Sequence, residues 1–211
     1  MLKTFYNKNL LEAGIDEAGR GPLFGRVYTA AVIIPNDDTF KKDFIKDSKK
    51  LSKKKREMAY EYITNNAIDY SISYKEAKEI DYNNIYNSTF DAMHSALDNL
   101  IVKPDFLLVD GSEFQLYMQN DDIVPYCCIV KGDGLYASIA AASILAKVAH
   151  DKYIEEMCLK NPLLDEFYGL SSNMGYGTKT HMNGIKQYGI SPWHRKSFSP
   201  CKNSKINKKF T

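Results

Sequence analysis

Gly14-Ile15-Asp16-Glu17-Ala18-Gly19-Arg20-Gly21-Pro22-Leu23-Phe24-Gly25 sets two acids, at the end of an apolar step, directly against a glycine-rich turn. Glycine reaches backbone conformations closed to other residues and lets a ligand approach the main chain. Gly19, Gly21 and Gly25, with Arg20 among them, therefore suit a loop that holds a polyanion. Carboxylates beside such a loop would repel phosphate unless a divalent cation lay between them. Magnesium and manganese take oxygen ligands from carboxylate, water and phosphate together. The stretch predicts metal-dependent phosphate chemistry. Two other readings of it stand. One is a dinucleotide-binding fingerprint, against which the G-x-G-x-x-x-G spacing and Pro22 argue; the other is a plain glycine turn beside a solvated acidic pair.

Outward from this stretch, residues 12–16 read as a short strand and 26–34 (RVYTAAVII), rich in β-branched residues, as a second, so that the glycine loop lies near the tip of a hairpin. Side chains of adjacent strand residues face opposite ways, so Asp16 and Glu17 are expected to share a site only if the strand ends or bends there. Residues 67–74 alternate like a strand, and 84–101 carry Ile85, Thr89, Ala92, Met93, Ala96, Leu97 and Leu100 on one helical face. Phe106-Leu107-Leu108-Val109 then delivers Asp110 beside Gly111, and Cys127-Cys128-Ile129-Val130 delivers Asp133 beside Gly132. Open α/β sheets place their chemistry just past the carboxyl ends of core strands. A long helix is expected over 136–157, where Ala140-Ala141-Ala142-Ser143 is small enough to lie close on a sheet.

The charge is unevenly placed. Overall it is +2, yet residues 41–56 hold nine Lys/Arg against two Asp, and 179–211 hold eight Lys/Arg and no acid, which leaves the remainder strongly acidic. Basic surfaces around an acidic centre suit nucleic-acid backbone around bound metal, although charge runs are often only solvated faces. Ser52 is a fair N-cap for a helix over 53–66, and Lys53, Lys54, Lys55 and Arg56 crowd the helix end where the macrodipole disfavours cations. Residues 161–198 interleave Tyr, His and Trp with Lys and Arg, a pattern that suits sugar stacking and backbone contact. For Trp193, core packing is the preferred reading. The lysine-rich segment 201–211 is expected to fray. Residues 1–11 contain no apolar core of signal-peptide length, and the longest apolar run, 137–145, is too short to span a bilayer. With four cysteines in no disulfide-like pattern, a cytoplasmic setting is expected.

The motifs GIDEAGRGP, DSKKLSKKKRE, LLVDG, KGD, SIAAASILAKV, NMGYGT and SPWHRKSF, in this order, resemble the type 2 ribonucleases H of bacteria, the ribonuclease HII family. The resemblance runs from about residue 14 to 198 and implies an α/β ribonuclease H-like fold. That fold is a central five-stranded mixed sheet, three antiparallel strands then two parallel ones, flanked by helices, with a helical C-terminal region. One catalytic domain is expected over 1–211, with 160–200 a substrate-contacting region and 201–211 a flexible basic tail. By the same resemblance Asp16, Glu17, Asp110 and Asp133 are the catalytic acids and ligands of Mn2+ or Mg2+. The Gly19-Arg20-Gly21 backbone reads the ribose 2′-hydroxyl, Tyr176 packs on the following deoxyribose, and Lys49 and Lys53 contact substrate. The implied partners are RNA–DNA hybrids and DNA duplexes with embedded ribonucleotides, met by a monomer.

The sequence departs from the family pattern in places. Arg26 stands where proline is frequent, Met174 where lysine is common, and His150-Asp151 where Arg-Asp is usual; the 22 residues between Asp110 and Asp133 are a long stretch. Two rival functions remain open at this point: a junction-resolving or transposase-like nuclease, which lacks a ribose reader, and a catalytically silent hybrid-binding module, whose mark would be lost acids.

Overall fold

The computed structural model of the chain describes residues 2–37, 39–45 and 51–210. Strand β1 (Glu12–Ala18) pairs antiparallel with β2 (Val27–Ile33), Asp16 opposite Ala30. On the far side of β2 lies β3 (Asp69–Lys75), also antiparallel. Strand β4 (Phe106–Asp110) joins β1 in parallel, Ile15 opposite Val109. A short hairpin, β5 (Met118–Gln119) and β6 (Asp122–Ile123), occupies the long stretch after Asp110. It is followed by β7 (Tyr126–Ile129), parallel to β4. The sheet order β3-β2-β1-β4-β7 is the mixed five-stranded arrangement expected.

Side-chain alternation divides this sheet into two packed faces. Ala13, Ile15, Ala31 and Ile33 meet Phe90, Met93, Ala96 and Leu97 of α2 (Ala77–Asp98) on one side. Ala30 and Val32 meet α1 (Lys53–Asn66) and α3 (Ala137–Lys160) on the other. Ala140, Ala141 and Ala142 are fully buried, so α3 lies close on β1 and β2 as its small residues predict. The approach is tightest at Gly14, where an added Cβ would overlap the Ser138 carbonyl carbon and the Ile139 nitrogen.

Four expectations are corrected. Strand β1 does not end at Asp16 but continues in register, Glu17 opposite Thr29 and Ala18 opposite Tyr28. Helix α2 begins at Ala77, about two turns before the expected start; the backbone breaks at Asn84 (φ 62°, ψ 164°), whose side chain accepts from the Asn87 N–H at 3.0 Å and caps the second segment. Helix α3 runs three residues past the expected end, to Lys160. The C-terminal segment is not a loose tail through Phe210. Cys201 is buried, the Ile190 N–H donates to Lys205 O (2.9 Å) and the Asn207 N–H to Ile190 O (2.8 Å), and the Phe210 ring meets Phe167 and Trp193. Apolar side chains inside a lysine-rich run supply the burial that holds it. Helices α4 (Leu163–Tyr168), α5 (Leu170–Asn173) and α6 (Lys179–Tyr188) complete the C-terminal region. Among the described residues no helix is long and apolar enough to cross a membrane, and all four cysteines are free.

Candidate active site

Three neighbouring strands bring the acids to one edge of the sheet. β1 carries Asp16 and Glu17, β4 ends on Asp110, and a 3-10 turn after β7 (Gly132–Gly134) carries Asp133. That turn is tied to its neighbour, since the Gly132 N–H donates to Asp110 Oδ1 at 2.7 Å. Asp16 is 3% exposed, and its carboxyl turns along the strand so that Oδ1 accepts from the Glu17 N–H at 2.7 Å. This is how adjacent residues of an unbroken strand reach one site. Burial first, then the charges of Glu17 and Asp110, hold the Asp16 carboxyl well above the usual carboxylate range, while the Ser143 hydroxyl opposes them.

Asp16 Oδ2 is buried and has no hydrogen-bond partner among the described residues. A buried carboxylate oxygen without a donor is costly. Among the described residues no three His, Cys, Asp or Glu side chains are gathered so that they could hold a metal ion by themselves. The arrangement is instead an open edge of hard oxygen donors with one buried oxygen to spare, which fits a divalent cation whose remaining ligands come from water and phosphate.

The glycine loop continues from the acids into a cleft of about 360 Å³, lined by Glu17, Gly19, Arg20, Gly21, Arg56, Ser143, Lys147 and Tyr176. Gly19 has φ +89°, and a Cβ there would stand 2.6 Å from His150 Cδ2, so both the backbone and the space demand glycine. The Tyr176 ring lies over Gly21, 3.3 Å from where a Cβ would be, and is 43% exposed toward the cleft. Arg20 Nη1 reaches back to Glu17 Oε1 at 3.2 Å. Lys147 Nζ stands 5.9 Å from the Tyr176 ring and pairs with Asp151 at 2.8 Å, as does Arg56 at 3.2 Å. Ser52 caps α1, accepting from the Lys55 N–H. Lys53, expected at the substrate, pairs with Glu155 and lines an adjoining depression instead of the cleft. Lys49 lies outside the described residues.

No sequence motif marks Arg56, Ser143 and Lys147, which line the cleft, as site residues. Their signal, two basic side chains and a hydroxyl on the helices packed above the Asp-Glu strand, becomes visible only once α1 and α3 are seated. The same holds for the support beneath Tyr176. His181 Nδ1 meets Tyr176 O (3.0 Å), His181 Nε2 meets His194 Nε2 (2.9 Å), and His194 Nδ1 accepts from the Ser191 N–H (3.0 Å). These partners assign one tautomer throughout: His194 donates through Nε2, and His181 donates through Nδ1 to the carbonyl.

Burial, then the opposing charge of His181, pushes the His194 pKa well below its ordinary value; burial lowers that of His181. A histidine whose folded pKa is depressed leaves the unfolded chain binding more protons as pH falls through about 6.5, so stability drops in that direction. Thermal melts are expected to fall more steeply between pH 7.5 and 5.5 in the parent than in His181→Gln; parallel slopes would show that the pair does not titrate this way.

A family model described as Ribonuclease HII matches residues 13–201. The ribonuclease HII of Rickettsia akari is 49% identical over 193 residues, covering 92% of this chain and 93% of the relative. That of Phocaeicola vulgatus is 45% identical over 199 residues, 94% of each. The crystal structure of the ribonuclease H2 from Pyrococcus horikoshii OT3 matches with a TM-score of 0.76 at 26% identity, covering 90% of this chain and 95% of that one. With the mixed sheet, the acids at its edge and the glycine loop beside them, the chain belongs to the ribonuclease HII family of endoribonucleases.

Proposed function

We propose that the protein hydrolyses the RNA strand of RNA–DNA hybrids and nicks duplex DNA on the 5′ side of embedded ribonucleotides, leaving 5′-phosphate and 3′-hydroxyl ends. Asp16, Glu17, Asp110 and Asp133 hold two divalent cations, Mn2+ or Mg2+. The observation that carries this reading is the buried, unpartnered Asp16 Oδ2 among like charges, one loop away from a glycine backbone lying under Tyr176. When bound, such a cation neutralises the scissile phosphate and acidifies water.

The chain's own residues supply the rest. Asp110 Oδ1 fixes the turn that carries Asp133, Ser143 steadies Asp16, and Arg20 orients Glu17. Gly19 and Gly21 let the sugar approach the main chain, where the 2′-hydroxyl distinguishes RNA from DNA. Tyr176 offers an aromatic face to the next sugar, and Lys147 with Arg56 gives the cleft positive charge for the phosphate backbone. Lys49 and Lys53 belong to the same reading as contacts to the substrate. A cytoplasmic setting and a monomeric state belong to the same reading.

The test is a long hybrid labelled on each strand in turn. Cutting is expected in the RNA strand alone, with products that a polymerase extends directly; cutting of the DNA strand, or ends that need a phosphatase first, would contradict it. Tyr176→Ala is expected to lower cleavage at a single ribonucleotide by about 10-fold, the worth of one stacking contact, with the metal concentration for half-maximal rate unchanged. Equal cleavage of that substrate by parent and variant would remove the role.

A further inference from the structure

Among the described residues Arg195 is the largest fully buried side chain and forms no ion pair. Its guanidinium is spent entirely on main-chain carbonyls of the segment between β1 and β2. Nε donates to Gly25 O (2.9 Å), Nη1 to Arg20 O (2.9 Å) and Pro22 O (2.8 Å), and Nη2 to Gly19 O (2.6 Å) and Arg26 O (2.9 Å). Every one of the five N–H donors an arginine owns is used. The contact is locked from the backbone too, with the Arg195 N–H on Leu23 O and the Gly25 N–H on Trp193 O, both at 2.9 Å.

This wrapping fixes which way the loop's peptide planes face. In a planar trans peptide the carbonyl of one residue and the N–H of the next point in opposite directions. Drawing the Gly19 and Arg20 carbonyls inward to Arg195 therefore turns the Arg20 and Gly21 N–H groups outward, to the cleft that these residues line. Neither N–H has an acceptor among the described residues. Two adjacent, unused donors of fixed direction suit an oxygen acceptor, and a sugar hydroxyl is one.

We propose that Arg195 is the positioning residue of ribose recognition: it holds the Gly19-Arg20-Gly21 backbone with two N–H groups presented to the 2′-hydroxyl, and so sets the discrimination of RNA from DNA without touching the substrate. The inference rests on the reading of the glycine loop as the ribose reader. Burial pushes the guanidinium down to about 10, which leaves it charged at neutral pH. A lysine cannot take its place, because an ammonium has three donors and no planar fork, and at least two carbonyls would be left without a partner.

The experiment measures binding by fluorescence anisotropy in an Asp110→Asn background, where cleavage is silenced, to two duplexes that differ in a single ribose. The background protein should prefer the ribonucleotide duplex. Adding Arg195→Lys should reduce that preference about tenfold, the worth of one or two oriented hydrogen bonds, with affinity for the all-DNA duplex held within about twofold. A retained preference overturns the proposal. So does an equal fall in both affinities, which a purely structural role would produce, and so does failure of both Arg195→Lys and Arg195→Met to fold. No ribose preference in the background protein itself would instead remove the reading of the loop on which the proposal stands.

Discussion

Asp16→Asn protein is expected to melt no lower than the parent and to cleave at least 10³-fold more slowly. The two effects have one cause. Asp16 is buried beside Glu17 and Asp110, and their charges oppose its ionisation, so a neutral amide of the same shape relieves a repulsion the native fold endures. The amide oxygen can still accept from the Glu17 N–H. What the amide loses is a formal charge toward a divalent cation. Several kcal/mol of transition-state stabilisation depend on that cation, and each 1.4 kcal/mol is a tenfold change in rate. Circular-dichroism melts with single-turnover cleavage of one preparation check both halves. Activity within tenfold of the parent would show that Asp16 serves packing and not metal.

Gly14→Ala should have the largest effect on stability. A methyl group at this position overlaps backbone atoms of Ser138 and Ile139, and backbone, unlike a flexible side chain, cannot step aside. Helix α3 must lift from β1, which opens the layer containing Ala140 and Ala141 and shifts Ser143 away from Asp16. Overpacking of this kind costs about 3 kcal/mol, which lowers Tm by about 6 to 12 °C for a chain of this size. A Tm within 2 °C of the parent would show that the interface is more compliant than its geometry indicates.

Much of the site was legible in the sequence because its parts are local. An apolar run that ends on an acid and a glycine is visible at Asp110 and again at Asp133, and the runs themselves, 106–109 and 127–130, mark the buried strands that lie side by side. Small residues over 140–143 announced a close helix, and Gly14 is the position that accepts it. What escaped depends on contacts far apart in the chain. Arginine reads as surface charge, and nothing near Arg195 reveals that its five partners lie about 170 positions earlier. Lys53 reads as a free cation until Glu155 of α3 is folded against it. The break at Asn84 hid the first part of α2, since a helix interrupted by a left-handed residue has no continuous apolar stripe. The C-terminal lysines masked the few apolar residues that dock the tail, and the turn of the Asp16 carboxyl along its own strand is a side-chain choice that no period-two argument contains.

The proposed site joins four carboxylates and a glycine loop in one metal-dependent, ribose-selective nuclease centre. It is tested most directly with two labelled DNA duplexes, one carrying a single ribonucleotide, incubated with the protein in Mn2+, in Mg2+ and in chelator. One nick is expected on the 5′ side of the ribonucleotide, present with divalent metal, absent with chelator, and absent from the all-DNA duplex. Equal cutting of both duplexes, or tight binding with no cut in either metal, would contradict it.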